Sequence, residues 1–219
     1  MLTHSSIPRL GGIMVMLFSL ACTSYSTQAT PKNSQDVAPK RVKLELPKQP
    51  APPRFVTTDK VAIKTSMGTL TVALYGKDAP KTVQNFLHYV DNDFYTGKIF
   101  HRIIDGFMIQ AGGFDQDLAR GETDDPINLE LIPGLRHEPG VISMARQPND
   151  IHSATTQFFI CTTTAPQLNG TYAAFGKLLS GEDVLRAISQ VPTHTVETEV
   201  GKMNDVPIKP VLIESISRL

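Results

Sequence analysis

The sequence predicts a mainly β domain whose sheet is closed or sandwiched. Eight short apolar or alternating segments stand against only two stretches of helical period. Many short strands with few helices are the pattern of a barrel or a sandwich, and closure leaves no sticky edge strand. The chain has 219 residues, 41% of them hydrophobic, with Phe and Tyr but no Trp, which suits one main globular domain with a real core.

Taken in order, residues 1–21 read as an export signal. Arg9 is the one firm positive charge ahead of the apolar run from Ile13 to Ala21, and Cys22 follows small Ala21. The run is far short of the ~20 apolar residues that a bilayer-crossing helix needs. Ser19-Leu20-Ala21-Cys22 resembles the bacterial lipobox, which implies cleavage before Cys22 and lipidation of its thiol; the alternative is an ordinary signal cut near "STQA" at 26–29. Thr23 stands where an inner-membrane retention signal would carry Asp, so an anchored product is expected on the outer membrane, facing the periplasm. Residues 22–55 are rich in Ser, Thr, Gln, Lys and Pro, have no hydrophobic period, and read as a tether. It carries +4, against −5 for residues 56–219. Such a basic arm either lies on an anionic membrane surface or serves as a solvated linker.

From Val56 onward the domain begins. "VAIKT" and "LTVAL" flank Ser66-Met67-Gly68 and predict a hairpin. In "APKTVQNFLHYVDN", Pro80 suits a first helical turn, and Val83, Phe86, Leu87 and Val90 make one apolar face. Strands are expected at 99–104, 107–111, 141–145, 157–161, 172–178 and 211–216, with long loops at 114–140 and 146–156. A second helix is expected after Ser180, whose hydroxyl would cap it, with Val184, Leu185 and Ile188 as its stripe and Pro192 at its end.

Several chemistries lack a warrant. The histidines at 4, 88, 101, 137, 152 and 194 form no metal-ligand spacing, so no metal is expected. There is no G-x-S-x-G, Walker loop or G-x-G-x-x-G, and "AGGF" at 111–114 is too short to cradle a phosphate. Asp115, Asp117, Glu122, Asp124 and Asp125 lie in a polar stretch and read as a solvated face. The acidic domain shows no basic, aromatic-interleaved surface for nucleic acid. Cys161 sits in "QFFIC", where a buried, unreactive thiol is expected, and with Cys22 lipidated or removed it has no disulfide partner.

"FHRIIDGFMIQAGG" at 100–113 sets an always-charged arginine in an apolar stretch, and its registry decides what that arginine faces. A two-residue turn at Asp105-Gly106 would pair Arg102 with Ile109 and His101 with Gln110. A three-residue loop, Asp105-Gly106-Phe107, would pair Arg102 with Gln110 and Ile104 with Met108 on one face. Composition does not choose between the two.

Together with "GVISMA", "SATTQFFICT" and "YAAFGKLLSGEDVL", in this order and spacing, that stretch resembles the cyclophilin family of peptidyl-prolyl cis-trans isomerases, with "QVPTHT" and "VPIKPV" similar to its bacterial exported branch. The likeness runs from about Val61 to the C-terminus. It implies a closed eight-stranded antiparallel β-barrel capped by two α-helices, the three-residue register, no cofactor, and a monomer acting on proline-containing unfolded or extended polypeptides. It further implies that Arg102, Gln110 and Phe107 are catalytic, with Gln110 orienting Arg102. Phe107, Met108, Phe159 and Leu168 would line the proline pocket, Gln157 and the backbone at Ala145 and Arg146 would hold the peptide, and Tyr172 would bond substrate or cap a strand. His101 matches a family histidine best read as structural. Gln167 stands where many members carry an aromatic that helps hold cyclosporin A, which counts against tight drug binding, and Asp105 replaces the usual proline before Gly106. The expected function is prolyl isomerisation in folding envelope proteins; the competing expectation is a tethered peptide-binding or chaperone module with incidental isomerase activity.

Overall fold

The computed structural model describes residues 54–198 and 201–219; the expected signal, Cys22 and the tether up to residue 53 lie outside the described residues. Phe55, grouped with the tether by composition, instead packs on the core, with its ring 5.2 Å from that of Tyr75.

The chain runs β1 (Asp59–Thr65), β2 (Gly68–Leu74), α1 (Pro80–Asp91), β3 (Lys98–Ile104), β4 (Met108–Asp115), β5 (Val141–Met144), β6 (Phe158–Cys161), β7 (Ala174–Ser180), α2 (Glu182–Ser189), β8 (Thr193–Thr198), β9 (Gly201–Pro207) and β10 (Ile213–Arg218). Eight strands form one antiparallel sheet in the order β10-β1-β2-β7-β5-β6-β4-β3. Its two end strands meet: Ile99 bridges Leu212, Gly97 N–H donates to the Ile213 carbonyl at 2.9 Å, and Phe100 N–H to that of Val211 at 2.9 Å. The sheet is thereby rolled into a nearly closed barrel, and its backbone groups find partners at the seam instead of lying open as a template for aggregation.

Alternation along the strands sorts the residues between the two faces. Ile103, Ile109, Ile160 and Ile142 pair in sequence across β3, β4, β6 and β5, and all are almost wholly buried. They join a core that α1 closes with Val83, Phe86, Leu87 and Val90. The Phe86 ring lies 5.4 Å from Tyr95, 5.6 Å edge-on from Phe158 and 5.3 Å from Phe175, so one helical residue ties together aromatics of β6, β7 and the turn before β3.

Helix α1 has Pro80 in its first turn as expected, but its cap comes from far away. The Glu130 carboxylate accepts from Lys81 N–H at 3.2 Å, Thr82 N–H at 2.7 Å and the Thr82 hydroxyl at 2.8 Å. A carboxylate on the free N–H groups of a first turn satisfies them and complements the helix dipole. The long loop carrying Glu130 is held in turn by the Ile127–Ala154 bridge and by Asp124 N–H, which donates to the Tyr89 hydroxyl at 2.8 Å.

Two expectations change. Ser180 does not cap α2: it ends β7, and Gly181, at φ 99°, takes the N-cap position with no side-chain cap. A Cβ at Gly181 would lie 2.5 Å from the Thr69 carbonyl oxygen, so the strand-to-helix corner demands glycine and moves the cap one residue on. The second change is an added element, the β8–β9 hairpin, a separate two-stranded sheet outside the barrel. Its polar, exposed strands carry no inward apolar alternation to announce them.

Replacing Phe86 by Ala removes the ring at the centre of the aromatic cluster. Chemical denaturation of Phe86→Ala is expected to show a loss of about 3–5 kcal/mol relative to the parent domain.

Candidate active site

The face of β3, β4, β6 and β5 opposite the isoleucine row carries a second row. Arg102 pairs with Gln110, Gln110 with Phe159, and Phe159 with Ser143. The three-residue loop is therefore the one adopted, with Ile104 opposite Met108, Phe107 N–H donating to the Ile104 carbonyl at 3.1 Å, and Gly106 at φ 67°. Beside this row lies an apolar cluster separate from the main core. Met108, Phe159, Cys161, Ala165 and Leu168 are its buried members, and Ile104, Phe107, Ala145 and Tyr172 pack on them half-exposed. Tyr172 stands edge-on to Phe159 at 5.5 Å, and Leu168 reaches the cluster from a short 3-10 turn, Pro166–Leu168.

Polar groups hold the apolar walls. Gln110 Nε2 donates to Gln157 Oε1 at 2.9 Å, and Gln157 lies over Gly113, where a Cβ would come within 2.6 Å of the amide. The "AGGF" glycine thus makes room for a side chain, not a phosphate. Ala145 N–H donates to the Gln157 carbonyl at 2.8 Å. Arg146 folds across Tyr172, its guanidinium carbon 4.6 Å from the ring centre, while Nε donates to the Thr171 carbonyl at 3.0 Å and Nη1 to those of Gln147 and Pro148 at 2.8 and 3.1 Å. Behind Phe159, His137 stacks at 6.0 Å, with Nδ1 3.0 Å from Asn169 Oδ1 and Nε2 2.9 Å from the Ser143 hydroxyl. An amide oxygen only accepts, so Nδ1 carries the proton and Nε2 accepts from Ser143. Burial, opposed by the Asn169 contact, holds the His137 pKa below its ordinary value, so the ring is a neutral strut.

Residues 60–218 match the family described as cyclophilin type peptidyl-prolyl cis-trans isomerase/CLD. The chain belongs to the cyclophilin family. It is 43% identical over 164 residues to peptidyl-prolyl cis-trans isomerase A of Dickeya dadantii, covering 73% of this chain and 84% of that protein. It is 44% identical over 163 residues to an isomerase of Streptomyces antibioticus, covering 71% of this chain and 95% of that one. The crystal structure of a cyclophilin-type isomerase from Cryptosporidium parvum superimposes with a TM-score of 0.62 at 30% identity, over 74% of this chain and 97% of that one. These likenesses make the protein a peptidyl-prolyl cis-trans isomerase with the cyclophilin fold.

In this cyclophilin the residues expected at the prolyl site fall on the outer row or in the apolar cluster beside it, except Gln157 and Arg146, which join it through Gln110 and Tyr172, yet one expected contact is replaced. Gln110 bonds Gln157 instead of orienting Arg102, and the group paired with Arg102 is Asp205 of β9, its Oδ2 3.6 Å from Nε. The sequence reading missed Asp205, His137 and Asn169. Asp205 lies in a polar strand with no apolar alternation, and Asn169 is 32 residues from the histidine it holds. Gln167 is exposed in the 3-10 turn beside Leu168, and Asp105 is an exposed turn residue.

Two groups are silenced chemically. Burial pushes the Cys161 thiol up to about 12, so it is no nucleophile. His101 is 3% exposed and edge-on to Phe114 at 4.8 Å; burial first, then the cations of Arg102 and Arg120, bring its pKa down to about 4 against opposing hydrogen bonds. It stays neutral at physiological pH and is walled off from the row that Arg102 occupies.

Because unfolding releases His101 to its ordinary value of 6.5, the unfolded chain binds one more proton between that pH and about 4. The stabilisation is complete above pH 6.5 and is lost as pH falls toward about 4, amounting to about 3 kcal/mol in all. Urea titrations across this window should show stability falling with pH, with a shallower slope in His101→Asn.

Proposed function

We propose that this cyclophilin accelerates X-Pro rotation in folding envelope proteins and that Arg102 is the group that stabilises the twisted amide. The single observation that carries the mechanism is the placement of Arg102 on the same outer row as Gln110 and Phe159, at the rim of the apolar cluster. The task is to turn a bond, not to break one. Resonance sets a barrier of ~18–20 kcal/mol, and rotation removes that resonance and localises a lone pair on the prolyl nitrogen. A donor aimed at this nitrogen binds the twisted amide more tightly than either planar isomer, which is what lowers the barrier. Guanidinium suits the role because it remains protonated and offers donors without taking a proton.

In this reading Phe107, Met108, Phe159 and Leu168 hold the proline ring. Gln110 and Gln157, bonded to each other, present amide groups to the peptide backbone, and Ala145, Arg146 and Tyr172 form the opposite wall. A neutral, buried His101 and an un-ionised Cys161 serve as neither base nor nucleophile, in keeping with a reaction that makes and breaks no covalent bond.

The site of action is proposed from the N-terminus: a lipid on Cys22 would hold the domain at the outer membrane by a basic tether, where newly exported chains fold. No helix among the described residues is long and apolar enough to cross a membrane.

Arg102→Ala should lower isomerisation of a short X-Pro peptide by roughly 10²–10³-fold, the loss typical of removing one transition-state donor, with an unchanged circular dichroism spectrum. Turnover at the background rate by the unmutated domain, together with tight binding of proline-containing peptides in calorimetry, would favour the chaperone reading instead. Mass spectrometry of the exported protein should find a diacylglyceryl group on an N-terminal Cys22; an unmodified N-terminus beyond residue 22 would refute the anchor.

A further inference from the structure

The β8–β9 hairpin adds no strand to the barrel sheet, yet it reaches back to Arg102. Its base is closed by Ile208 N–H donating to the Pro192 carbonyl at 2.9 Å, and its register slips between the pairs His194–Val206 and Val196–Met203. Across that slip Asn204 and Asp205 face the single residue Thr195, whose hydroxyl donates to Asn204 Oδ1 at 3.1 Å. This is a β-bulge, the device that re-aims a side chain out of the regular alternation. Asp205 stands within it at φ 60°, one of only three non-glycine residues with positive φ among the described residues. An aspartate there strains the backbone, a strain glycine would avoid. What the strained residue achieves is a carboxylate oxygen 3.6 Å from Arg102 Nε.

Arg102 needs such a partner. Its side chain is 44% exposed, and a long arginine on a barrel's outer surface carries rotamer freedom that works against holding one pose. Gln110, its neighbour across the strand pair, gives its amide to Gln157. Among the described residues Asp205 is the one charged group paired with the guanidinium. The pairing is through Nε, which leaves both Nη groups as donors for a substrate.

We infer that Asp205 is a positioning residue for isomerisation, the bulge presenting its carboxylate so that Arg102 is held ready before the peptide arrives. The inference rests on the proposed role of Arg102. Its force is on the rate of the bound peptide more than on binding, because the proline pocket lies on other residues and stays intact.

The test uses variants that the backbone accepts. Asparagine tolerates a positive φ and keeps the shape without the charge, while glycine removes the strain together with the carboxylate. NMR lineshape analysis of an X-Pro peptide titrated into the protein separates the exchange rate on the enzyme from the dissociation constant. In Asp205→Asn and Asp205→Gly the exchange rate should fall by about three- to tenfold, with the dissociation constant changed less than about twofold. Thermal stability of Asp205→Gly should equal or exceed wild type, which a merely structural role would not combine with slower exchange. Asp205→Glu, with its charge restored on a longer stem, should recover at least half of the lost rate. Wild-type exchange in the Asn and Gly variants, or a Glu variant no faster than Asn, would overturn the inference. If instead Arg102→Ala keeps wild-type exchange, it is the assignment of Arg102 that fails.

Discussion

The paired rows across β3, β4, β6 and β5 are the constraint on which the rest depends. Ile103, Ile109, Ile160 and Ile142 point into the barrel because each stabilises the fold by ~1.5–3 kcal/mol when fully buried. A slip of one residue in the β3–β4 pairing would send isoleucine to solvent and Arg102 inward. Local turn preference at Asp105-Gly106 works on a scale of ~1 kcal/mol, so it cannot hold a two-residue turn against that burial. The site is therefore a by-product of packing: once the isoleucines are inside, Arg102, Gln110 and Phe159 must share the outer face.

Placing the site outside has an electrostatic consequence. A guanidinium carried into a filled barrel would lose its hydration, a penalty of several kcal/mol that only excellent pairing could offset. On the outer face Arg102 keeps 44% of its side-chain exposure, and its charge is retained without that cost. What is lost is rigidity, and the group placed to restore it is the Asp205 carboxylate of the hairpin. The buried His101 and His137 meet the cost of desolvation in the opposite way, by staying neutral.

Much of this was legible in the sequence because it was written in periodicity. Strand alternation, the 3.6-residue stripe of α1 and the turn residues gave eight strands and two helices, and the family resemblance supplied the register that composition left open. The parts that were hidden depend on contacts without a local signature. Glu130 caps α1 from 48 residues away, Asn169 fixes His137 across 32, and the β8–β9 hairpin buries too little apolar surface to impose a pattern. Ser180 misled for the same reason: a serine before an acidic pair looks like a cap, but a carbonyl of β2 occupies the space that decides where the helix can start.

An enzyme that turns a bond in another protein's backbone faces a geometric demand that a small-molecule enzyme does not. Its substrate is a chain entering and leaving the site at both ends, so a deep pocket with one mouth would exclude it. A barrel packed solid with side chains offers no such pocket in any case. Its outer wall offers a shallow apolar cluster deep enough for a proline ring, flanked by amides that can bond an extended backbone and by one fixed charge. In the proposed mechanism the chain lies across, the ring sinks in, and the only group asked to respond to the rotating nitrogen is a guanidinium that neither gains nor loses a proton. On that proposal catalysis depends on where the charge sits, and a strained aspartate in a hairpin outside the barrel sheet takes the positioning role inferred for it.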